Sequence, residues 1–289
     1  MKKIKKIIIP AAGWGTRFLP LTKVVHKELV PVLNKPIIQH LAEEAVAAGV
    51  EEIILIISPR KLEISKYFTI NSQLEHELRK KGKVELLHKV QATNDLLKIS
   101  IAIQNEQLGL GHAIFMAADQ IDNEPFGIIL GDDLIKSKIP AIKQLIDVYN
   151  KTGSSVIGVQ TISDSQIHKY GVVIPKNPSE KNDQLFEISG AVEKPDLEHV
   201  PSNKAILGRY VFTPQIMHLL RDLNPGVGNE INIVDAFDGF LKNEKIYALD
   251  FEGQRYDLGS VDGFVKAQID YALDSDDIKD SIMEHISKK

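Results

Sequence analysis

The segment Gly13-Trp14-Gly15-Thr16-Arg17 follows directly on the apolar run Ile7-Ile8-Ile9 and on Pro10-Ala11-Ala12, and Lys27 comes ten residues after Arg17. Glycines in such a turn let backbone N–H groups approach a ligand with no Cβ in the way. The arginine and lysine add positive charge beside it. A loop of this composition suits a polyphosphate, although ordinary surface cations on a tight β-turn have the same make-up. It is neither of the two commoner phosphate loops. The dinucleotide fingerprint needs a third glycine where Phe18 stands, and a Walker A loop needs Gly-Lys-Ser/Thr at a spacing that neither Gly13 nor Gly15 provides. Carboxylates that could hold a divalent cation come much later. Asp132 lies just past the apolar run Phe126–Leu130, and Asp257 sits in Arg255-Tyr256-Asp257-Leu258-Gly259, too far away for spacing to pair the two. Asp133, beside Asp132, could equally cap a turn.

The elements that would position these groups alternate through the first half. Ile7–Pro10, Ile53–Ser58, Val84–Leu87, Ile99–Ile103, Phe126–Leu130 and Ser155–Thr161 read as strands, several of them continuous apolar runs typical of burial on both faces. Pro36–Ala48, Gln73–Lys81, Gly109–Ala118 and Pro140–Asn150 read as helices, the first with Pro36 at its start and Gly49 after its end. Such βα alternation predicts a mainly parallel sheet, with ligands beyond the carboxyl ends of its strands. From about residue 162 the pattern changes to short strands (Gly171–Ile174, Phe186–Val192, Ile206–Phe212) separated by polar loops such as Pro175–Asp183. The expectation is one domain over 1–289. Residues 1–161 would form its first half, 162–273 an antiparallel-containing portion woven into it, and 274–289 a helical tail.

Composition narrows the class. The chain of 289 residues is 43% hydrophobic and 26% charged, ordinary for a soluble globular protein. With 39 acidic and 35 basic residues the formal charge is −4, so no basic surplus points to nucleic acid. There is no cysteine, which removes disulfides and thiolate sites and fits a reducing cytoplasm. The start, MKKIKKIIIP, has the charged head of a signal peptide, but its apolar stretch is too short, and no segment approaches a membrane span.

The run AAGWGTRFLPLTKVVHKELVPVLNKPIIQH resembles the signature of bacterial UTP–glucose-1-phosphate uridylyltransferases. The likeness continues through QNEQLGLGHAI (104–114), GDDL (131–134), YGVV (170–173), VEKP (192–195), EINIVDA (230–236) and RYDLGSVDGFVKAQIDYAL (255–273). It implies an α/β fold of the nucleotide-diphospho-sugar transferase kind, a Rossmann-like, mainly parallel mixed sheet flanked by helices with an inserted sugar-binding portion. It also implies transfer of a uridylyl group from UTP to glucose 1-phosphate. By the same resemblance Arg17 faces the leaving pyrophosphate, Lys27 the reacting phosphates and Lys194 the sugar phosphate. Gln104 would meet the uracil edge, with Gly109 and the backbone of Ala11, Ala12, Gly13, Gly15 and Thr16 around the nucleotide. Gly171 and Glu193 would meet glucose hydroxyls, and Asp132 and Asp257 would hold Mg²⁺. A homo-oligomer, dimer or tetramer, is implied as well. The chain departs from the pattern at Trp14 (usually Leu), His26 (usually Pro) and Asn34 (usually Asp). His26 lacks the fixed φ of proline, so the loop presenting Lys27 is less restricted. Two other readings stay open. One is the same chemistry on another sugar phosphate or dTTP. The other is a catalytically weak regulatory paralogue, which the presence of Thr16-Arg17, Lys27, Asp132, Lys194 and Asp257 disfavours.

Overall fold

Ile7 and Ile9 pack into one apolar cluster and Ile8 into another, and Ile53, Leu55 and Ile57 divide from Ile54 and Ile56 in the same way. A strand with both faces buried must be apolar throughout, which is why these runs show no alternation with polar residues. The computed structural model describes residues 2–163, 165–196 and 200–288. Strands β1 (Lys6–Pro10), β2 (Pro31–Val32), β3 (Lys35–Pro36), β4 (Glu52–Ile57), β5 (Lys98–Ile103), β6 (Phe126–Ile129) and β7 (Asp133–Lys136) belong to the first half. They are followed by β8 (Ser155–Thr161), β9 (Gly171–Pro175), β10 (Leu185–Glu193), β11 (Lys204–Phe212), β12 (Ile246–Asp250) and β13 (Gln254–Asp257).

Among the described residues nine of these strands form one mixed sheet in the order β5-β4-β1-β6-β11-β8-β12-β10-β9. The section β5-β4-β1-β6 is parallel throughout. Beyond it β11 runs antiparallel to both β6 and β8, and β10 antiparallel to both β12 and β9. Helices Ile37–Ala47 and Ala141–Thr152 cover one face through Ile38, Leu41, Ile142 and Leu145. Leu110–Phe115 and Gln215–Asp222 cover the other through Ile114, Ile216 and Leu220. No helix among the described residues is long and apolar enough to cross a membrane.

One expected strand is a helix. Val84–Leu87 opens the helix Val84–Asn94, of which only Leu87 is buried. Gln91 and Asn94 of that helix donate to Glu75 of the helix Ser72–Lys80 at 2.8 and 3.3 Å, so pairing with a helical neighbour overrides the local β preference. The expected helix Gly109–Ala118 is two shorter ones, Leu110–Phe115 and Ala118–Ile121. The tail carries the helix Lys279–Ser287, which has no buried residue.

The two-stranded ribbon matters most for the site. β13 pairs antiparallel with β7, with Asp257 opposite Asp133, and Leu258 N–H donates to the Asp132 carbonyl at 2.8 Å. Carboxylates more than a hundred residues apart in sequence thus arrive at one place.

Candidate active site

The first glycine-rich turn leaves the carboxyl end of β1. Ala11 N–H donates to the Ile56 carbonyl at 2.7 Å, which ties the exit of β1 to β4. Gly15 is left-handed (φ 69°), and a Cβ there would lie 3.1 Å from Thr22 Cγ2 and 3.4 Å from Lys27 Cβ. Glycine is therefore required twice, by conformation and by space. Gly13 differs: a Cβ on it would meet no protein atom within 4 Å, so its open side faces the cleft. That cleft, about 360 Å³, is lined by Ala12, Gly13, Lys27, Gln104, Gln107 and Gly109 among others.

Two cations converge on one carboxylate oxygen. Asp132 Oδ2 accepts from Arg17 Nη2 at 3.1 Å and from Lys27 Nζ at 3.2 Å, and Arg17 Nη1 lies 3.6 Å from Asp257 Oδ1. Burial alone would raise the Asp132 carboxyl, but Lys27 and Arg17 outweigh it and hold the group below the usual carboxylate range. Burial likewise opposes charge on Lys27, and Asp132 with Glu28 more than restores it, so the ammonium is held above its ordinary value. Asp257 Oδ1 also accepts from Gly259 N–H at 2.9 Å. Among the described residues no hydrogen bond reaches Asp132 Oδ1 or Asp257 Oδ2, which leaves one oxygen of each carboxylate for a cation. No cluster of three or more His, Asp or Glu able to hold a metal occurs among those residues. Two carboxylates completed by substrate phosphates and water are the donor set Mg²⁺ prefers, and the pair fits it.

Asp133 has a different task. Arg255 Nε donates to its Oδ1 at 2.7 Å and Nη2 lies at 2.5 Å, while Arg255 Nη1 donates to the Tyr170 hydroxyl at 3.1 Å. Gly208, left-handed at φ 62°, lies so close that a Cβ would sit 2.4 Å from Asp133 Oδ2. Asp133 is thus a buried brace for the turn that carries Asp132.

A second cavity, about 400 Å³, adjoins the first and shares Leu110, Leu130, Asp132 and Glu230 with it. Its lining includes Arg17, Tyr170, Gly171, Glu193, Lys194 and Asp257. Gly171 pairs with Glu193 across β9 and β10, and a Cβ on Gly171 would lie 3.0 Å from Glu193 Oε2. Lys194 has a left-handed backbone (φ 46°), its N–H donates to the Tyr170 carbonyl at 3.1 Å, and its ammonium lies 3.5 Å from Glu193. Strain of this kind in a non-glycine residue persists where neighbours over-determine it. The two cavities meet at Asp132.

A family model described as nucleotidyl transferase matches residues 6–273. The chain belongs to that family. A UTP--glucose-1-phosphate uridylyltransferase of Staphylococcus epidermidis is 49% identical over 288 residues, covering 100% of this chain and 99% of the relative. A solved UDP-glucose pyrophosphorylase complexed with UDP-glucose superposes with a TM-score of 0.84 at 37% identity, covering 94% of this chain and 100% of that one. A UTP-bound UGPase from Acinetobacter baumannii gives a TM-score of 0.89 at 32% identity, with 98% of each chain covered.

Most of the residues singled out in this nucleotidyl transferase line the two cavities, but three do not. Ala11 is buried behind the cleft, its carbonyl accepting from Lys61 Nζ at 2.8 Å. Gly15 is half-buried within the loop, its carbonyl accepting from Thr22 Oγ1 at 2.7 Å, and Thr16 begins the turn Thr16–Phe18 with its own side chain exposed. Gln104 lines the cleft, yet its amide nitrogen is 2.9 Å from His112 Nδ1 and 3.4 Å from the Gly109 carbonyl. Its Oε1 has no donor among the described residues and is the atom left for a ligand N–H. Trp14 stands exposed with the Arg60 guanidinium over its ring. Several lining residues were not anticipated, among them Gln107, whose amide donates to the Ala12 carbonyl at 2.8 Å, Tyr170, Glu230 and Arg255. Tyr170, Glu230 and Arg255 each open a motif noted in the sequence, but nothing in their type or spacing separates them from solvated surface residues.

Proposed function

We propose that this chain transfers the uridylyl group of UTP to α-D-glucose 1-phosphate, releasing pyrophosphate and forming UDP-glucose. The observation that carries this reading is the meeting of two cavities at Asp132, with Arg17 and Lys27 converging there. A sugar-phosphate oxygen attacks the α-phosphorus in line, the bond to the bridging oxygen of the β-phosphate breaks, and pyrophosphate leaves with the electron pair. The attacking oxygen is already ionised at neutral pH, so no strong base is needed. Catalysis then consists of positioning two anions and stabilising charge on the leaving group.

Each residue has a place in this scheme. Gln104 Oε1 accepts from uracil N3–H, and the bare Gly13 backbone admits the nucleotide. Arg17 forks onto the leaving pyrophosphate. Lys27 holds the reacting phosphates, Lys194 the sugar phosphate, and Gly171 and Glu193 the glucose hydroxyls. A divalent metal is general in the family, and the ion proposed here is Mg²⁺ on Asp132 and Asp257. Bound there, Mg²⁺ would neutralise phosphate charge and draw the two substrates together. An exposed apolar stripe, Val261, Val265 and Ile269 on the helix Val261–Leu273, supports assembly into a homo-oligomer. The lack of cysteine suits work in the cytoplasm.

The test is pyrophosphate release with UTP, dTTP, CTP and ATP, each against glucose 1-phosphate, galactose 1-phosphate and N-acetylglucosamine 1-phosphate. UTP with glucose 1-phosphate should give the highest kcat/KM. Discrimination against dTTP should be modest, since one methyl group is worth about 1–3 kcal/mol in an apolar pocket. A pure protein that binds UTP but forms no UDP-sugar would be a regulatory subunit instead.

A further inference from the structure

Behind the nucleotide cleft lies a buried ion pair that the reaction does not use directly. The side chains of Lys61 and Glu28 are 4% and 0% exposed. The Lys61 ammonium donates to Glu28 Oε1 at 3.1 Å, to Glu28 Oε2 at 2.9 Å and to the Ala11 carbonyl at 2.8 Å. An ammonium has three protons, so its donors are fully engaged. Taking both charges out of water is expensive, and an apolar pair of similar volume often serves stability equally well. What the ion pair adds is direction, because three short hydrogen bonds hold their partners at set positions.

Those partners adjoin the site. Glu28 follows Lys27, Ala11 precedes Ala12, and both Lys27 and Ala12 line the nucleotide cleft. Lys61 ends the short turn Pro59–Lys61, which follows the buried strand β4, and its own N–H donates to the Ser58 carbonyl at 2.9 Å. The preceding residue, Arg60, places its guanidinium over the ring of Trp14 on the glycine loop. One turn therefore grips the loop from within and from outside.

We propose that Lys61 is a positioning residue for uridylyl transfer. Through Glu28 and the Ala11 carbonyl it sets the Lys27 ammonium and the Ala12–Gly13 backbone at the separation the reacting phosphates require. This rests on the functional reading above.

The test compares an apolar pair, Lys61→Met with Glu28→Leu, with Glu28→Gln, which keeps an acceptor for Lys61. Thermal melting should find both folded. In the apolar pair kcat should fall about 100-fold, the scale of a misplacement near 1 Å, while KM for UTP changes far less. Glu28→Gln, which loses one of the charges that favour the Lys27 ammonium but keeps an acceptor for Lys61, should retain clearly more kcat than the apolar pair. Trp14 is the one tryptophan of the chain. Its quenching by acrylamide should rise in the apolar pair and stay native in Glu28→Gln. Equal kcat in the two folded variants, whether high or low, overturns the proposal. Should the apolar pair not fold, Lys61→Gln with Glu28→Gln replaces it and is read in the same way, since glutamine is one atom short of the ammonium. A wild-type protein that releases no pyrophosphate defeats the functional reading instead, and Trp14 quenching then reads the positioning alone.

Discussion

Lys27 and Lys194 both bring positive charge to the same junction, yet the two parts of the sheet hold them differently. Lys27 is 18% exposed and bonded to Asp132, on a loop anchored from behind by Glu28 and Lys61. Lys194 is 62% exposed, and its ammonium has only Glu193, at 3.5 Å, as an ion-pair partner among the described residues. The Lys27 side grows from the parallel strands β1 and β4, buried on both faces, so the loops leaving their carboxyl ends inherit rigid starting points. The Lys194 side grows from antiparallel strands, and Lys194 follows β10, whose side chains alternate between core and surface. One side is organised before substrate arrives, whereas the other keeps a cation free for the sugar phosphate proposed above.

The largest effect should come where the two sides meet. Asp132→Asn and Asp257→Asn should each lower kcat by orders of magnitude in a folded protein, and the double variant should lose little more, because groups acting as one unit are not additive. Fully multiplicative losses would show that the carboxylates act separately and that the junction is not one site.

The next test addresses the comparison itself. Lys27→Ala should cut kcat about 100-fold or more and also lower Tm, since the half-buried Asp132 is left with fewer partners. Lys194→Ala should leave Tm unchanged and raise KM for glucose 1-phosphate about 10-fold, the scale of one charge-assisted hydrogen bond. Equal losses of Tm in the two variants would end the distinction between an organised and a substrate-completed side.

The smallest effect concerns the helix Ile37–Ala47, which covers the parallel section. Burial lowers the pKa of His40, against the pull of the Val32 carbonyl 3.3 Å from its Nε2. The unfolded chain therefore binds more protons once pH drops below the ordinary histidine value of about 6.5. His40 contributes stability that is present above that pH and is lost as pH falls through its lower folded value. Tm of His40→Gln should decline less steeply than that of the wild type between about pH 6.5 and 5. Parallel declines would remove His40 from the acid response.

Much of this was readable along the chain. The runs Ile7–Ile9, Ile53–Ile57 and Phe126–Leu130 announce buried strands because a strand covered on both faces tolerates few polar residues. The glycine turn announces itself because few other residues permit its backbone. Val84–Leu87 misled because four apolar-rich residues fit either periodicity, and Glu75 on a neighbouring helix settles the matter. Gln104 was legible as a polar residue at a strand end, but not that His112 and Gly109 engage its amide nitrogen.

Residue order therefore sufficed for what depends on near neighbours: the buried apolar strands such as β1, β4 and β6, the phosphate-type loop, the cations beside it, and through shared motifs the kind of reaction. Distance in the chain hid the rest. Asp257 reaches Asp132 only because β13 pairs with β7, Arg255 becomes a brace only when it meets Asp133 and Tyr170, and Lys61 acquires a role only when folding buries it between Ala11 and Glu28. Each is a contact between segments far apart in sequence, formed when packing excludes water and obliges buried charges to find partners.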